Sequence, residues 1–129
     1  MSSVTLTALT KDINQILRDA TKLRIYGNEV KEGFQRPCFF VQVLPVQDQI
    51  ESANLERRLI TVIIHYFSEH GTDPENLTMA DTLRQTFGMI ISAGGRKLTR
   101  GEARTDIVDG VLQFRFDLAF YDTPAQAAE

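Results

Sequence analysis

A single cysteine, Cys38, excludes an internal disulfide, and only two histidines, His65 and His70, stand beside it as soft metal ligands. His65 falls in an apolar run and His70 in a polar one, and the three share no spacing of a zinc motif, so no metal is expected. Surrounded by apolar neighbours, Cys38 reads as a small buried hydrophobe, which fits a reducing cytoplasm. No apolar stretch approaches the ~20 residues of a membrane-spanning helix. The opening Met-Ser-Ser-Val-Thr-Leu-Thr lacks the basic start and apolar core of a signal peptide. An excess of positive charge is missing too: the net charge of −3 gives no general attraction to nucleic acid or acidic membranes. Neither G-x-x-x-x-G-K-S/T nor G-x-G-x-x-G occurs, so Gly94-Gly95 and Gly101 make no phosphate-cradling loop and no cofactor is expected.

What is there belongs to an ordinary globular chain. Its 129 residues are 43% hydrophobic and 24% charged, enough for one domain with a real core. The stretch around which the rest is arranged is Gly33–Pro45. Between Pro37 and Pro45, Cys38, Phe39, Phe40, Val41, Val43 and Leu44 form an apolar run broken only by Gln42. The two prolines bound it as a strand, and its composition suits one covered on both faces. Its partner is the run Leu55–Phe67. There Leu59, Thr61, Ile63, His65 and Phe67 share one face and Ile60, Val62, Ile64 and Tyr66 the other, so cover is expected on both sides.

Around this pair the spacing predicts a helix over Val4–Leu23, with Leu6, Leu9, Ile13, Ile16, Leu17 and Ala20 on one stripe and Thr5 or Thr7 as cap. Arg24-Ile25-Tyr26 reads as a short strand, followed by a tight turn at Gly27-Asn28 and the lead-in Glu29–Glu32. Polar Val46–Asn54 has no period and reads as a long loop between the two central strands, a natural arm to reach a neighbour. A second helix starts with Asp73 as cap and Pro74 at its first position. Leu77, Ala80, Leu83, Phe87 and Ile90 carry its stripe to the breaker Ser92-Ala93-Gly94-Gly95. Leu98–Val108 and Val111–Tyr121 flank Asp109-Gly110, the strongest hairpin signal in the chain. In the second arm Leu112, Phe114, Phe116, Leu118 and Phe120 face inward. The reading is an α+β domain over residues 1–122, with a flexible tail at 123–129. Two helices pack on a mostly antiparallel or mixed sheet of about five strands, in the order α-β-β-β-α-β-β.

Catalytic groups are thin on the ground. Asp106, Glu102 and a histidine make the only hydrolase or nuclease-like set, and Asp109 is accounted for by its turn. A monomeric adaptor is the other alternative. The features left over are surfaces: the loop residues Gln47, Asp48, Gln49 and Glu51, and the basic cluster Arg96, Lys97, Arg100 and Arg104. No aromatic residue interleaves that cluster, which argues against a platform for single-stranded nucleic acid. A solvated strand edge or a subunit contact fits it better.

Several stretches in order resemble the tail terminator proteins of contractile-tailed phages and prophages of Gram-positive bacteria. They are Ile25-Tyr26-Gly27-Asn28-Glu29-Val30, Gly33-Phe34, Pro37-Cys38-Phe39-Phe40-Val41, His65-Tyr66-Phe67, Met79-Ala80-Asp81-Thr82-Leu83 and Asp106–Phe114. Together they run through most of residues 9–121. The resemblance implies a structural virion protein without catalytic residues, located at the head-proximal end of the tail and assembled in the host cytoplasm. It implies a ring of six copies that caps the tail tube, ends its growth and docks the head-side connector. Its partners would be itself, the tube protein, the connector and the sheath, with DNA passing through the lumen without sequence-specific binding. A ring makes each subunit contact heterologous, one patch meeting a different patch on the next copy.

Overall fold

A computed structural model describes residues 3–27 and 33–124. The expected turn beyond Gly27, the lead-in Glu29–Glu32 and the tail residues 125–129 lie outside the described residues. The element order is α1 (Leu6–Thr21), β1 (Arg24–Tyr26), β2 (Cys38–Ser52), β3 (Leu55–Phe67), α2 (Asp73–Thr86), β4 (Ile90–Ala93), β5 (Arg96–Val108) and β6 (Val111–Asp122). The strands make one six-stranded sheet in the order β1-β2-β3-β6-β5-β4. Among the described residues only the β1–β2 pair is parallel, so the sheet is mixed.

Local chemistry explains where the helices begin. The hydroxyl of Thr5, not Thr7, accepts from the Ala8 N–H at 3.2 Å and opens α1. Leu9, Ile13 and Leu17 then recur on one buried stripe. Lys22 takes the left-handed conformation (φ 62°), and its N–H closes the helix on the Arg18 carbonyl. In α2 the cap is Thr72 rather than Asp73, one residue earlier than the aspartate-proline signal suggests. The reason is Glu75, whose carboxylate reaches back to accept from the Thr72 N–H at 3.2 Å and from its hydroxyl at 2.8 Å.

The end of α2 differs from expectation. The helix stops at Thr86, and Ile90–Ala93 forms a sixth strand that the helical stripe had absorbed. Leu77 and Ile90, assigned to that stripe, are 60% and 50% exposed. Phe87, with φ −105° and ψ 69°, leaves the helical conformation, and Gly94 and Gly95, with φ of 64° and 78°, supply the two left-handed residues of a tight hairpin turn into β5. The other hairpin is as expected. Asp109 and Gly110 have φ of 53° and 76°, and β5 and β6 close through Val108 and Val111. A Cβ on Gly110 would lie 3.0 Å from the Gly71 carbonyl oxygen, because Asn76 ties the start of α2 to this turn through the Gly110 carbonyl at 3.0 Å.

Leu9, Ile13 and Leu17 of α1 and Leu83 with Phe87 beyond α2 join one core with Phe39, Val41, Ile60, Val62, Ile64, Leu112, Phe114, Phe116 and Leu118. Both helices therefore cover the same face. The expectation that both faces of β3 are roofed gives way: among the described residues no helix lies on the second face. Polar pairs hold its middle instead, Thr61 to Asp117 at 2.7 Å and His65 beside Gln42 at 3.5 Å. Phe34, Phe40 and Phe67 cluster at one end of it, with ring centroids 5.0–5.2 Å apart.

Candidate functional site

The segment 46–54 is not a loop. It continues β2 and β3 as a hairpin arm, with Gln47 opposite Leu59, Asp48 opposite Arg58 and Gln49 opposite Arg57. Pro45 does not end the strand; lacking an N–H, it shifts the ladder, and Val46 becomes the extra residue of a bulge. The turn falls at Ala53-Asn54, where the Asn54 N–H donates to the Ser52 hydroxyl at 3.3 Å. Gln47, Asp48, Gln49 and Glu51 are all exposed, and Asp48 meets the Arg58 guanidinium at 3.6 Å. The residues that the sequence reading left out are Val46 and Ile50, 55% and 63% exposed. Two bulky apolar residues inside an otherwise polar stretch were the available signal.

The basic cluster divides in two. Arg96 donates to the Tyr121 carbonyl at 2.6 Å, lies 3.5 Å from the Asp122 carboxylate and covers the Phe120 ring at 5.2 Å. Arg58 approaches the same ring at 5.4 Å and binds the same carboxylate at 3.0 Å. Asp122, its side chain only 3% exposed, also accepts from the Val4 N–H at 2.9 Å. Burial alone would raise its pKa, but the Val4 and Thr123 N–H groups and the two arginines outweigh that and hold it below the usual value. Arg100 donates to the Phe87 carbonyl at 3.0 Å. These two arginines therefore lock the start of β5 to β6 and to the end of α2. Lys97 and Arg104 are exposed, and Arg104 meets Glu102 at 3.6 Å.

The groups that might carry a reaction stay apart. His65 sits beside Gln42, its pKa lowered first by burial and then by Arg115. His70 lies 3.4 Å from Glu75, and buried Cys38 has its thiol pKa pushed up by that burial. Among the described residues no three His, Cys, Asp or Glu side chains gather as a ligand set. Asp106 is opposite Gln113, which is opposite His65 across β6. Two strand spacings, roughly 10 Å, thus separate that carboxylate from that imidazole. Asp106 instead accepts from the Ile107 N–H at 3.0 Å.

An open groove of about 480 Å³ lies between α1 and the β4–β5 turn. Asp12, Gln15, Ile16 and Asp19 form its helical wall, and Ser92, Ala93, Gly95, Arg96 and Lys97 the other. Asp12 accepts from the Gly94 N–H at 2.8 Å and so fixes the turn against the helix. A family model described as phage tail terminator protein matches residues 8–129. No curated protein matches the chain.

Proposed function

This chain belongs to the phage tail terminator family, and from that premise we propose that it closes the tail tube as a ring of six copies. It is a structural protein of the phage tail. In the proposed role the ring sits at the head-proximal end of the tail, stops addition of further tube subunits on one face and offers the other to the head-side connector. The tails are contractile, the hosts are Gram-positive bacteria, a sheath is the neighbouring partner, and DNA traverses the lumen without sequence-specific contacts. The observation that carries the reading is the extent of the family match, residues 8–129, which takes in both helices almost entirely and all six strands. Exposed polar surface in excess of what folding uses, on the 46–54 arm and at Lys97 and Arg104, supports assembly through surface complementarity.

Deletion of the gene from its phage or prophage tests this reading. The expected result is tails of uncontrolled length that fail to join heads, restored when the protein is supplied in trans. Tails of normal length on normally joined particles would overturn it. Electron microscopy of the purified protein, alone and with tail tubes, gives the ring number directly.

A further inference from the structure

Nine large hydrophobic side chains are exposed among the described residues, and six of them lie on the β2–β3 arm or at β4. Leu44, Val46, Ile50 and Leu55 belong to the β2–β3 arm; Met89 and Ile90 lie at β4. The strand order puts the arm and β4 at opposite sides of the molecule. Among the described residues, β2 beyond Phe40 has β3 as its one strand partner, and β4 has β5 alone. Each side thus presents an unpaired edge with apolar side chains on it, the kind of surface that another strand-bearing chain covers.

The two edges also match in height and in face. Leu44 is opposite Thr61, which is opposite Asp117. Arg100 is opposite Leu118, the neighbour of Asp117, and its N–H donates to the Met89 carbonyl. Leu44 and the start of β4 therefore stand on one level. Ile50 is opposite Glu56 and Glu56 opposite Asp122, which binds Arg96, which is opposite Ala93. Ile50 and the end of β4 form the second level. Alternation decides the faces. Leu44 and Ile90 point to the face without helices, whereas Ile50 shares the helix side with Arg58 and Ala93. On the helix side, the groove holding Ile16 and Ala93 opens beside β4. The groove is balanced in charge, Asp12 and Asp19 against Arg96 and Lys97, so the match of level, face and apolar surface is what seats Ile50 there.

We propose that copies of this chain join edge to edge, the β2–β3 arm of one lying along β4 of the next with Ile50 seated in the groove between α1 and the β4–β5 turn. This rests on the ring reading above and names its subunit contact. The contact is heterologous, the kind that closes a ring when its rotation divides a full turn. Pro45 and the bulge after it interrupt the exposed backbone ladder, which disfavours indiscriminate strand pairing and leaves the side chains to set the register.

The test is a pair of introduced cysteines, Ile50→Cys with Gln15→Cys on the helical wall of the groove, oxidised gently after assembly, with light scattering of the unmodified chain measured alone and on added tail tubes. Native Cys38 is fully buried and stays silent. The expected result is a ladder of covalent oligomers on a non-reducing gel, absent when Ile50→Cys is combined with Leu77→Cys on α2. A ring by mass with no ladder overturns the edge contact and leaves the ring reading standing. A monomer under both conditions overturns both. Should the cysteine pair itself block assembly, Ile50→Glu and Lys97→Glu decide the matter. Each alone is expected to be monomeric, and their mixture to stop at a dimer, because one intact arm then meets one intact groove. Unchanged rings from either single variant would overturn the proposal.

Discussion

The two halves of the β2–β3 hairpin are built by different forces. In the inner half, Phe39, Val41, Val62 and Ile64 are buried under the helices, and side-chain burial sets the register. In the outer half, from Pro45 to Ser52 on β2, every residue is exposed. There the backbone ladder and a few surface pairs such as Asp48–Arg58 hold the strands together. An outer half of this kind adds little to the stability of one copy, so its length and apolar side chains have their use elsewhere. The contrast gives a sharp first prediction. Phe39→Ala should destabilise the chain by about 3–5 kcal/mol, since the ring is wholly buried and neighbours cannot collapse into its space. Ile50→Ala should cost less than ~0.5 kcal/mol. Denaturant melts of the two variants side by side check this, and equal losses would erase the distinction between the halves.

This contrast also explains what the sequence reveals and what it conceals. Burial leaves a pattern, so the run Cys38–Leu44, the alternation of Leu112 to Phe120 and the α1 stripe were all readable. Asp109-Gly110 was readable for another reason, because a two-residue turn needs positive φ at both positions. The arm leaves only Val46 and Ile50 as a trace, since a strand exposed on both faces has no period for side chains to show. Pro45, taken as a terminator, is absorbed by a bulge. Beyond α2, Ile90 happens to continue the helical spacing of Leu83 and Phe87, and it concealed β4; the paired positive-φ glycines behind it were the better guide. Of the contact candidates, the exposed polar residues were legible as surplus. The commitment of Arg96 and Arg100 to carbonyls and to Asp122 depends on long-range pairing that no local spacing encodes.

The same distinction can be pressed within the basic cluster. Arg96→Glu would set a carboxylate against buried Asp122 and leave the Tyr121 carbonyl without its donor. Removing one member of such a buried pair costs on the order of 3 kcal/mol. Lys97→Glu, one residue along and exposed, should move stability by less than ~0.5 kcal/mol while preventing assembly. Thermal melts of both variants as monomers separate the two roles. A stable Arg96→Glu monomer would show that this arginine is surface after all.

Acid should act through the same carboxylate. Asp122 has a folded pKa below its ordinary value of 3.8, so the unfolded chain binds a proton more readily than the folded one. Its contribution is fully present above the ordinary value and is lost as the pH falls through the depressed folded one. Asp122→Asn should therefore be less stable than the parent at pH 7. Its remaining stability should decline less steeply in the acid range, as read from urea melts between pH 5 and pH 2. Parallel declines would mean that other carboxylates govern acid unfolding.

The smallest effect belongs to His65, in the inner half but on the face without helices. Burial and, second, the Arg115 cation hold its folded pKa below the ordinary 6.5. The sign follows from proton counting: the unfolded imidazole binds a proton first, so stability declines as the pH drops below 6.5 toward the folded pKa. Gln42 at 3.5 Å offers a neutral oxygen, which does not offset the cost of placing a charge beside Arg115. His65→Gln should remove this slope, leaving stability flat from pH 7 to pH 5 where the parent declines slightly. Arg115→Gln should reduce the slope without abolishing it, because burial, the larger cause, remains. Melts of all three chains across that range check the order. A parent that gains stability on going from pH 7 to pH 5 would show that the histidine is charged in the folded chain, and that the second face holds an anion for it.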